Sequence, residues 1–327
     1  MRGRAIGLGL LGLGAFLLAG ALAVRLFLEP ALVKLPLDQE AAPTAVGTDI
    51  SWFDIAAGEQ LTGLEADVRQ KVVGDPTQGA ANEDVAVWNF GSTITSTDGT
   101  LLNAGTYRVC LDRREAVAVA CDDIDHVDYD RKVSVEGLTL TFPFGTEERD
   151  YDVFNSTARA AFPATFEGVE EVGGLETYRF EMSIPETVVR TADLPAAMAG
   201  ADGTGTVEAE VVYSNERVIW VEPTSGVIVT SEEHPNTVVR GPDGETGVTI
   251  LAGDFAGSED TIAAGVERAE DYRSQINLVK TVLPLSLAVL GLVFLLIGAL
   301  LIRRGQAAGA HHEESFEAAP VREPQVQ

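Results

Sequence analysis

The side chains that could carry covalent chemistry begin with two cysteines, Cys110 and Cys121, in a chain of 327 residues. Two cysteines are too few for a disulfide scaffold, and they lack the paired spacing of a zinc site. A catalytic thiol would need a histidine partner, and outside the apolar segments and the C-terminal tail the chain offers His126 and His234. The cysteines lie on the two arms of a predicted hairpin, which favours a structural disulfide over a reactive thiol.

The densest group of carboxylates is the sequence DDIDHVDYD at residues 122–130. A calcium site needs clustered oxygen ligands, but strand alternation places the apolar Val127 on the same face as Asp123 and Asp125. The segment also lacks the glycine that gives an EF-hand loop its sharp turn. We therefore expect a solvated, charge-rich linker, with a cation site as the alternative. The surrounding carboxylates are expected to raise the pKa of His126.

A search for motifs finds no catalytic constellation. Residues 7–12, GLGLLG, match G-x-G-x-x-G, but no strand precedes them and no acidic residue follows at the distance of a ribose contact. Small residues that let two membrane helices approach explain these glycines better, with Gly3 and Gly7 or Ala15 and Ala19 as the predicted contact positions.

Other catalytic signatures are also missing from the sequence. Neither G-x-S-x-G, H-E-x-x-H nor a P-loop occurs. With so many acidic residues, a pair of carboxylates at the spacing of a glycoside hydrolase is expected by chance and identifies no site. The sequence therefore predicts a protein that is not an enzyme, with no catalytic residue, cofactor or bound metal. A hydrolase of envelope glycans with an unrecognised carboxylate pair is a further alternative.

The composition excludes nucleic acid as a partner. The chain has 50 acidic residues against 23 basic ones, a formal net charge of −27 and a pI near 4.4, whereas phosphate backbones attract basic surfaces. Mean hydropathy is nevertheless +0.11, so the apolar residues must be concentrated in particular segments.

Two segments without a charged residue, 5–24 and 281–302, are each long enough to cross a hydrocarbon core of about 30 Å as a helix. The alternative for the first segment is a cleaved signal peptide, because Ala21 and Ala23 have the spacing of a cleavage site. Signal cores usually have about 7–15 residues, so the greater length of this segment favours a retained anchor.

Basic residues at the ends of the two segments orient them. Because Lys and Arg favour the cytoplasmic side, residues 1–4 and 303–327 are predicted to be cytoplasmic and residues 25–280 extracytoplasmic. The region 26–280 holds 46 acidic and 17 basic residues, which agrees with this orientation. We expect a two-pass protein of the cytoplasmic membrane, with the lipid bilayer as a partner. The predicted membrane-flanking residues are Arg2, Arg4, Lys280, Arg303 and Arg304.

Between the two apolar segments the dominant hydrophobic period is two, which is typical of β-strands. The predicted fold class is mainly β: an antiparallel β-rich extracytoplasmic domain between an N-terminal and a C-terminal transmembrane helix. Strands are predicted at residues 64–73, 85–94, 106–111, 116–121, 133–142, 177–184, 207–213, 217–221 and 226–231.

Two further features organise the region between the spans. Residues 107–119 resemble residues 218–229, each with a strand, an acidic residue opening a turn and a second strand, and a duplication would give two β subdomains meeting near residue 136. From Ser258, a predicted N-cap, the period becomes helical and predicts a stalk over 258–280. The tail, 303–327, lacks apolar periodicity and is predicted to be disordered.

Several blocks of sequence resemble those of one known family. They are LTFPFGTE at 140–147, AFPATFEG at 161–168, VYSN at 212–215, WVEPTSGVI at 220–228 and VKLPLD at 33–38. Together they resemble the actinobacterial porin PorA family over nearly the whole chain, including both apolar segments.

The sequence departs from the family's pattern at Asn155 and Ser156, where an Asp-Gly turn is expected. Asparagine is an adequate residue for reversing the chain, whereas a ligand contact made by such a turn would be altered by the change.

The family name implies a pore, but two long apolar helices and an acidic β region are not the pattern of a barrel porin. The favoured prediction is a non-enzymatic cell-envelope protein whose β domain binds or passes on an envelope lipid or lipoglycan. The alternative is a cation-favouring, channel-forming porin subunit. Since neither apolar segment has an ionisable or amide side chain to line a path, a channel would need a homo-oligomer or an envelope protein partner.

Overall fold

The computed structural model describes residues 2–121 and 124–313, which contain thirteen β-strands and four α-helices. These elements form two compact units. The helical unit contains residues 2–33 and 274–313, and the β unit contains residues 34–273. The predicted fold class, mainly β with an apolar helix towards each end, is confirmed.

The helical unit contains the two apolar segments, and both are long and apolar enough to cross a membrane. Its last helix continues to Glu313, past the start of the predicted tail at residue 303, and residues 314–327 lie outside the described part of the chain. The helical elements of the chain are α1 (Arg2–Ala23), a π-helical turn (Val24–Leu28), α2 (Glu29–Leu32), α3 (Glu259–Asn277), a second π-helical turn (Leu278–Val282) and α4 (Leu283–Glu313).

Glycines bring α1 and α4 into backbone contact. A Cβ atom added at Gly7 would lie 3.0 Å from the carbonyl oxygen of Gly298, and one added at Gly14 would lie 2.7 Å from that of Gly291. On both helices the two contacts are two turns apart and therefore on one face. Ala21 extends this face of α1 and is buried. Close approach of this kind is how membrane helices associate when burial of apolar surface cannot drive it.

The contact positions predicted from the sequence were partly wrong. Gly7 lies in the contact, but Ala15 and Ala19 are exposed. The reason is the spacing: a face that repeats every seven residues from Gly7 passes through Gly14, not through Ala15.

A small group of charged residues lies where the helical unit leaves its apolar segments. Arg25 forms an ion pair with Glu29 at 2.9 Å and donates a hydrogen bond to the carbonyl oxygen of Lys280 at 3.0 Å. Lys280 Nζ in turn lies 4.0 Å from Glu29. Lys280, predicted to flank the membrane, therefore lies beside Arg25 and shares one carboxylate with it.

The β unit is built around one sheet whose strand pairings are antiparallel. The order across the sheet is β6-β5-β4-β3-β2-β13-β11-β10-β9-β8-β7, with β1 also paired to β3, and β12 to β10 and β13. The strands are β1 (Glu40–Ala41), β2 (Thr44–Asp54), β3 (Glu59–Gly74), β4 (Val85–Ser96), β5 (Leu101–Asp112), β6 (His126–Val127), β7 (Tyr151–Asn155), β8 (Ala160–Val172), β9 (Leu175–Pro195), β10 (Thr206–Val221), β11 (Ile228–Glu233), β12 (Asn236–Arg240) and β13 (Thr246–Gly257).

Two predicted strands are not regular strands in the structure. In the segment 116–121 only Ala118 forms a bridge, to Leu111, and Ala116 has a φ of 59°. The segment 133–142 bonds to three different partners: Gly137 accepts from Ala118, Leu138 pairs with Val153, and Phe142 donates to Gly226. A segment that crosses from one partner to another satisfies its backbone without joining one ladder.

The internal repeat appears in the structure as two turns with the same hydrogen bonds. The amide of Asp112 donates to the carbonyl of Val117, and that of Glu222 donates to the carbonyl of Val227. Each acidic side chain then accepts from the amides two and three residues later. A left-handed residue follows in both turns, Ala116 with φ 59° and Gly226 with φ 72°. The predicted subdomain boundary near residue 136 stays a prediction, since the strands on both sides of it form one sheet.

The main core lies on one face of the sheet and joins both halves of its strand order. It contains Trp88, Tyr107 and Val109 from the first half and Phe180 and Ile219 from the second, all buried. On the opposite face, Cys110 and Cys121 form the expected disulfide, with a Cα–Cα distance of 6.1 Å, beside buried Val87.

Candidate functional site

The β unit contains a cavity of about 690 Å³. Its lining combines apolar and polar residues in nearly equal measure. The apolar part comes from strands at both ends of the chain, including Val68 of β3, Phe90 of β4, Ile228 of β11 and Phe255 of β13. Because pockets for small ligands usually have volumes of roughly 300–1,000 Å³ and apolar walls with a few polar groups, this cavity is the candidate functional site.

The first turns of α3 form part of the cavity wall. Gly265 of this helix faces β11 so closely that an added Cβ atom would lie 2.6 Å from the carbonyl oxygen of Val229. Ser258 caps the helix as predicted, because its Oγ accepts from the amide of Thr261 at 3.1 Å. The Ser258 hydroxyl also bonds to that of Thr44 at 2.7 Å, which attaches the start of α3 to β2.

A group of polar side chains interrupts the apolar lining. The hydroxyl of Tyr107 shares a hydrogen bond of 2.6 Å with that of Thr139, and the Asn155 amide donates to the hydroxyl of Tyr213 at 3.2 Å. Burial raises the pKa of both Tyr107 and Tyr213 to about 12. Both phenols therefore stay neutral near pH 7 and can donate or accept a hydrogen bond.

Arg217 and Glu233 add a charged pair to the same lining. They face each other across β10 and β11, with 3.0 Å between Arg217 Nε and Glu233 Oε1, although the N–H is not aligned for a hydrogen bond. Asn215 also donates to the second carboxylate oxygen at 3.4 Å. Their side chains are only 17% and 30% exposed, so this pair is less screened than one on the surface. An amphipathic ligand could place its chain on the apolar wall and its polar group here.

Sequence comparisons give the family. A family model described as Porin PorA matches residues 6–300, which takes in both apolar segments and the whole β unit. A protein named Porin PorA from Corynebacterium amycolatum is 26% identical over 90% of this chain and 97% of its own length. Another of the same name, from Corynebacterium resistens, is 24% identical over 72% of this chain and 76% of its own.

The chain belongs to the PorA family. The resemblance predicted from five sequence blocks is thereby confirmed. A crystal structure of a Parabacteroides distasonis protein described as a lipoprotein covers 68% of this chain and 94% of its own with 9% identity. Its TM-score is 0.20, which is too low to bear on the fold of this PorA family member.

The position where this PorA chain departs from the expected Asp-Gly turn lies in the cavity wall. Asn155 reverses the chain with its side-chain oxygen, which accepts from the amides of Thr157 and Ala158 at 3.0 and 2.8 Å. The same side chain donates to Tyr213. Asn155 therefore serves both as the turn residue and as part of the polar group, a double role that the turn pattern alone did not indicate.

The site residues predicted from the sequence do not line the cavity. Cys110 and Cys121 are bound to each other on the other face of the sheet. Arg4, Lys280, Arg303 and Arg304 belong to the helical unit, as does Arg2, whose side chain lies outside the described part.

Among the described residues of the acidic segment 122–130, the structure shows no group that could bind a metal ion. Asp122 and Asp123 lie outside the described part of the chain, and within it no three His, Cys, Asp or Glu side chains come close enough together to hold a metal ion. The predicted linker and its cation-binding alternative both stay predictions.

The expected rise in the pKa of His126 is wrong. Burial of the ring lowers the pKa, Arg108 and Arg131 lower it further, and the nearby Asp128 and Asp125 oppose them. The neighbouring carboxylates predicted the wrong sign for the pKa of His126, because burial of the ring lowers it most and His126 also pairs with Arg108 across β5 and β6.

Sequence reasoning singled out Asn155 as a turn position and missed the other polar residues of the cavity, Tyr107, Tyr213, Arg217 and Glu233. Nothing in the sequence marks these four as different from other polar or aromatic residues of the β region. The available signal was weak: Tyr107 and Arg217 lie in the two segments of the internal repeat or directly beside them.

Proposed function

We propose that this protein is a subunit of a channel in a membrane of the cell envelope. The observation that carries the proposal is the PorA family match over residues 6–300, which includes both apolar segments and the β unit. Both curated relatives bear the name Porin PorA, and one of them matches nearly end to end.

The helices of one copy do not supply a conducting path by themselves. Residues 5–24 and 281–302 contain no ionisable or amide side chain, whereas ion pathways normally show polar groups at depth. Gly7 and Gly14 also bring α1 against α4 without a gap between them. The proposed channel is therefore an oligomer, or uses a further envelope protein.

The proposed orientation places both termini in the cytoplasm and the β unit outside. Arg2, Arg4, Arg303 and Arg304 support it, since cytoplasmic flanks carry the excess of Lys and Arg. With 46 acidic and 17 basic residues between positions 26 and 280, the field at the outer mouth concentrates cations. Cation preference is the expected selectivity.

Purified full-length protein in planar bilayers tests the channel. We expect discrete conductance steps with a cation-to-anion permeability ratio above one, falling towards one at high salt because charges are screened. Gly14→Leu should abolish the steps by separating α1 from α4. Gly12→Leu is the matched control, since Gly12 is exposed and a Cβ atom added there would meet nothing within 4 Å. Silence in several lipid mixtures, or anion preference, would contradict the proposal.

A second function is favoured by the cavity: binding of an envelope lipid or the lipid part of a lipoglycan. An apolar wall with Tyr107, Tyr213, Asn155 and the Arg217–Glu233 pair at one place suits a ligand with an apolar chain and a polar end. In this function the chain binds or passes on its ligand and catalyses no reaction.

Neighbouring residues of β4 give a matched pair of variants for this second function. Ser92 lines the cavity together with Phe90 and Ile94, while Thr93 points to the opposite face. We expect Ser92→Phe to reduce, several-fold, the lipid that co-purifies with the protein and the binding of a fluorescent long-chain fatty acid. Thr93→Phe should leave both unchanged. Equal lipid in the two variants would mean that the lipid lies around the helices, and would remove the cavity from consideration. Hydrolysis of envelope glycan that Ser92→Phe abolishes would show the chain to be an enzyme.

A further inference from the structure

A second concave surface adjoins the cavity, and the two share part of their lining, including Gln70, Ser92 and Gly105. This outer groove, of about 700 Å³, crosses β3, β4 and β5, and its defining residues are Arg69, Lys71, Gly91, Thr93, Thr106 and Tyr129. The register places them side by side, with Arg69 opposite Thr93, and Lys71 opposite Gly91, which is opposite Thr106.

The floor of the outer groove contains two strand glycines that the fold does not require. Gly91 has an ordinary extended backbone, and a Cβ atom added there would meet nothing within 4 Å. For Gly105, on the neighbouring strand, the nearest atom would be 3.8 Å away. Glycine inside a strand costs about 0.5–1 kcal/mol relative to alanine. Strand glycines that no bend or bulge explains often mark a place where a ligand approaches the backbone.

One wall of the groove is cationic in a strongly acidic protein. Arg69 and Lys71 are exposed, and no carboxylate lies within 4.0 Å of either among the residues that the structure describes. The carboxylate in the lining belongs to Asp128, whose Oδ1 accepts the amide of Thr106 at 3.0 Å. The groove therefore presents two positive charges that its own surroundings do not pair.

The other wall is an aromatic ring held in place. Tyr129 is 81% exposed, and its ring stacks on that of His126 with 5.3 Å between the centroids. An exposed aromatic side chain has an apolar face and a polar tip, which suits the C–H face and the hydroxyls of a sugar ring.

We propose that the outer groove binds an anionic glycan. Cations pair with its acidic groups, the hydroxyls of Thr93 and Thr106 meet its hydroxyls, and Tyr129 stacks on a ring. An extended peptide fits less well, because the backbone groups of β3, β4 and β5 along the groove are already paired with each other and leave no edge for strand addition. The proposal does not rest on the channel.

Binding of dextran sulfate and of neutral dextran of the same length to the full-length protein in detergent tests the proposal at about 0.15 M salt. Calorimetry should show binding of dextran sulfate that Thr93→Phe weakens about tenfold or more and that Arg69→Gln and Lys71→Gln each weaken several-fold. Arg190→Gln, which removes an exposed cation of β9, should leave it unchanged.

Three results would overturn the proposal. An equal loss from Arg190→Gln would show that dextran sulfate binds any cation of the surface. Poly-glutamate binding as tightly as dextran sulfate would indicate an acidic peptide partner instead. Unchanged affinity in Thr93→Phe, with an unchanged unfolding temperature, would show that the groove is not occupied. Because conductance enters none of these measurements, failure here leaves the channel proposal standing.

Discussion

The cost of replacing a glycine in this fold has two causes, backbone strain and steric contact. Two glycines with nearly the same backbone conformation allow the two costs to be compared. Gly226 has a φ of 72° and Gly58 a φ of 71°. A Cβ atom at Gly226 would lie 2.1 Å from the carbonyl oxygen of Phe142, whereas one at Gly58 would meet nothing within 4 Å. Gly58→Ala should therefore cost about 1–2 kcal/mol, the strain of a left-handed residue. Gly226→Ala should cost several kcal/mol more, because the 133–142 segment must move away.

Thermal unfolding followed by circular dichroism checks this pair of glycine variants. Equal shifts in the unfolding temperature for the two variants would mean that the close approach of Phe142 to Gly226 does not exist in solution.

His126 gives the β unit a pH dependence in a defined range. Its folded pKa lies below the usual 6.5, so between that folded value and about pH 6.5 the unfolded chain takes up a proton that the folded chain does not. The contribution of His126 to the free energy of unfolding is present above about pH 6.5 and is lost as the pH falls through the unfolded and then the folded value. Asp75, Asp98 and Asp130, whose pKa values are lowered from 3.8, act only at lower pH.

We expect the unfolding temperature to fall from pH 7.5 to pH 5.5, and His126→Phe to reduce that fall. His234→Phe is the matched control, because His234 is exposed and pairs with Asp254. If the fall were unchanged in His126→Phe and absent in His234→Phe, His234 would cause the pH dependence and the assignment to His126 would be wrong.

At the scale of elements, the sequence predicted what neighbouring residues determine and missed what distant ones determine. The turns at Asp112 and Glu222 were recognisable because an acidic residue and its next four neighbours form the whole turn. Strands β2 and β13 were not, since Trp52 pairs with Leu251 across almost the whole β unit. The cavity was not predicted for the same reason, because its polar residues meet only after such distant strands have paired.

The pairing of α1 with α4 gives a prediction at this scale. Gly14→Leu should disrupt the helical unit, because the added side chain collides with the backbone of Gly291, and Gly12→Leu on the open side of the same helix should not. Limited proteolysis of the full-length protein in detergent should cut α1 or α4 faster in Gly14→Leu than in the parent and the Gly12→Leu protein. Equal rates in all three would show that the helical unit tolerates the added side chain at Gly14.

At the scale of the whole molecule, the charge pattern and the disulfide lead to the same orientation independently. A disulfide persists in an oxidising compartment and is reduced in the cytoplasm, and Cys110 and Cys121 are bonded within the β unit. The excess of acidic residues lies in the same region, while Arg2, Arg4, Arg303 and Arg304 lie beyond the apolar segments. Both observations support the proposed orientation, with the β unit outside and the two ends inside.

Thiol labelling in intact cells decides this orientation, because the native cysteines are consumed by their disulfide. Cysteines introduced singly at Gly3, Ala308 and the exposed Ala57 of the β2–β3 turn supply the reporters. A membrane-impermeant maleimide should label Ala57→Cys in intact cells, and label Gly3→Cys and Ala308→Cys only after the membrane is opened. The parent chain should take up maleimide only after reduction, since its two sulfurs are oxidised where they fold. Labelling of Gly3→Cys in intact cells would place the first end outside, and a mature chain without Gly3 would show that the first apolar segment is cleaved. Loss of Gly3, or labelling of both Gly3→Cys and Ala57→Cys in intact cells, would leave one membrane-spanning helix, and a two-helix channel subunit would no longer be possible.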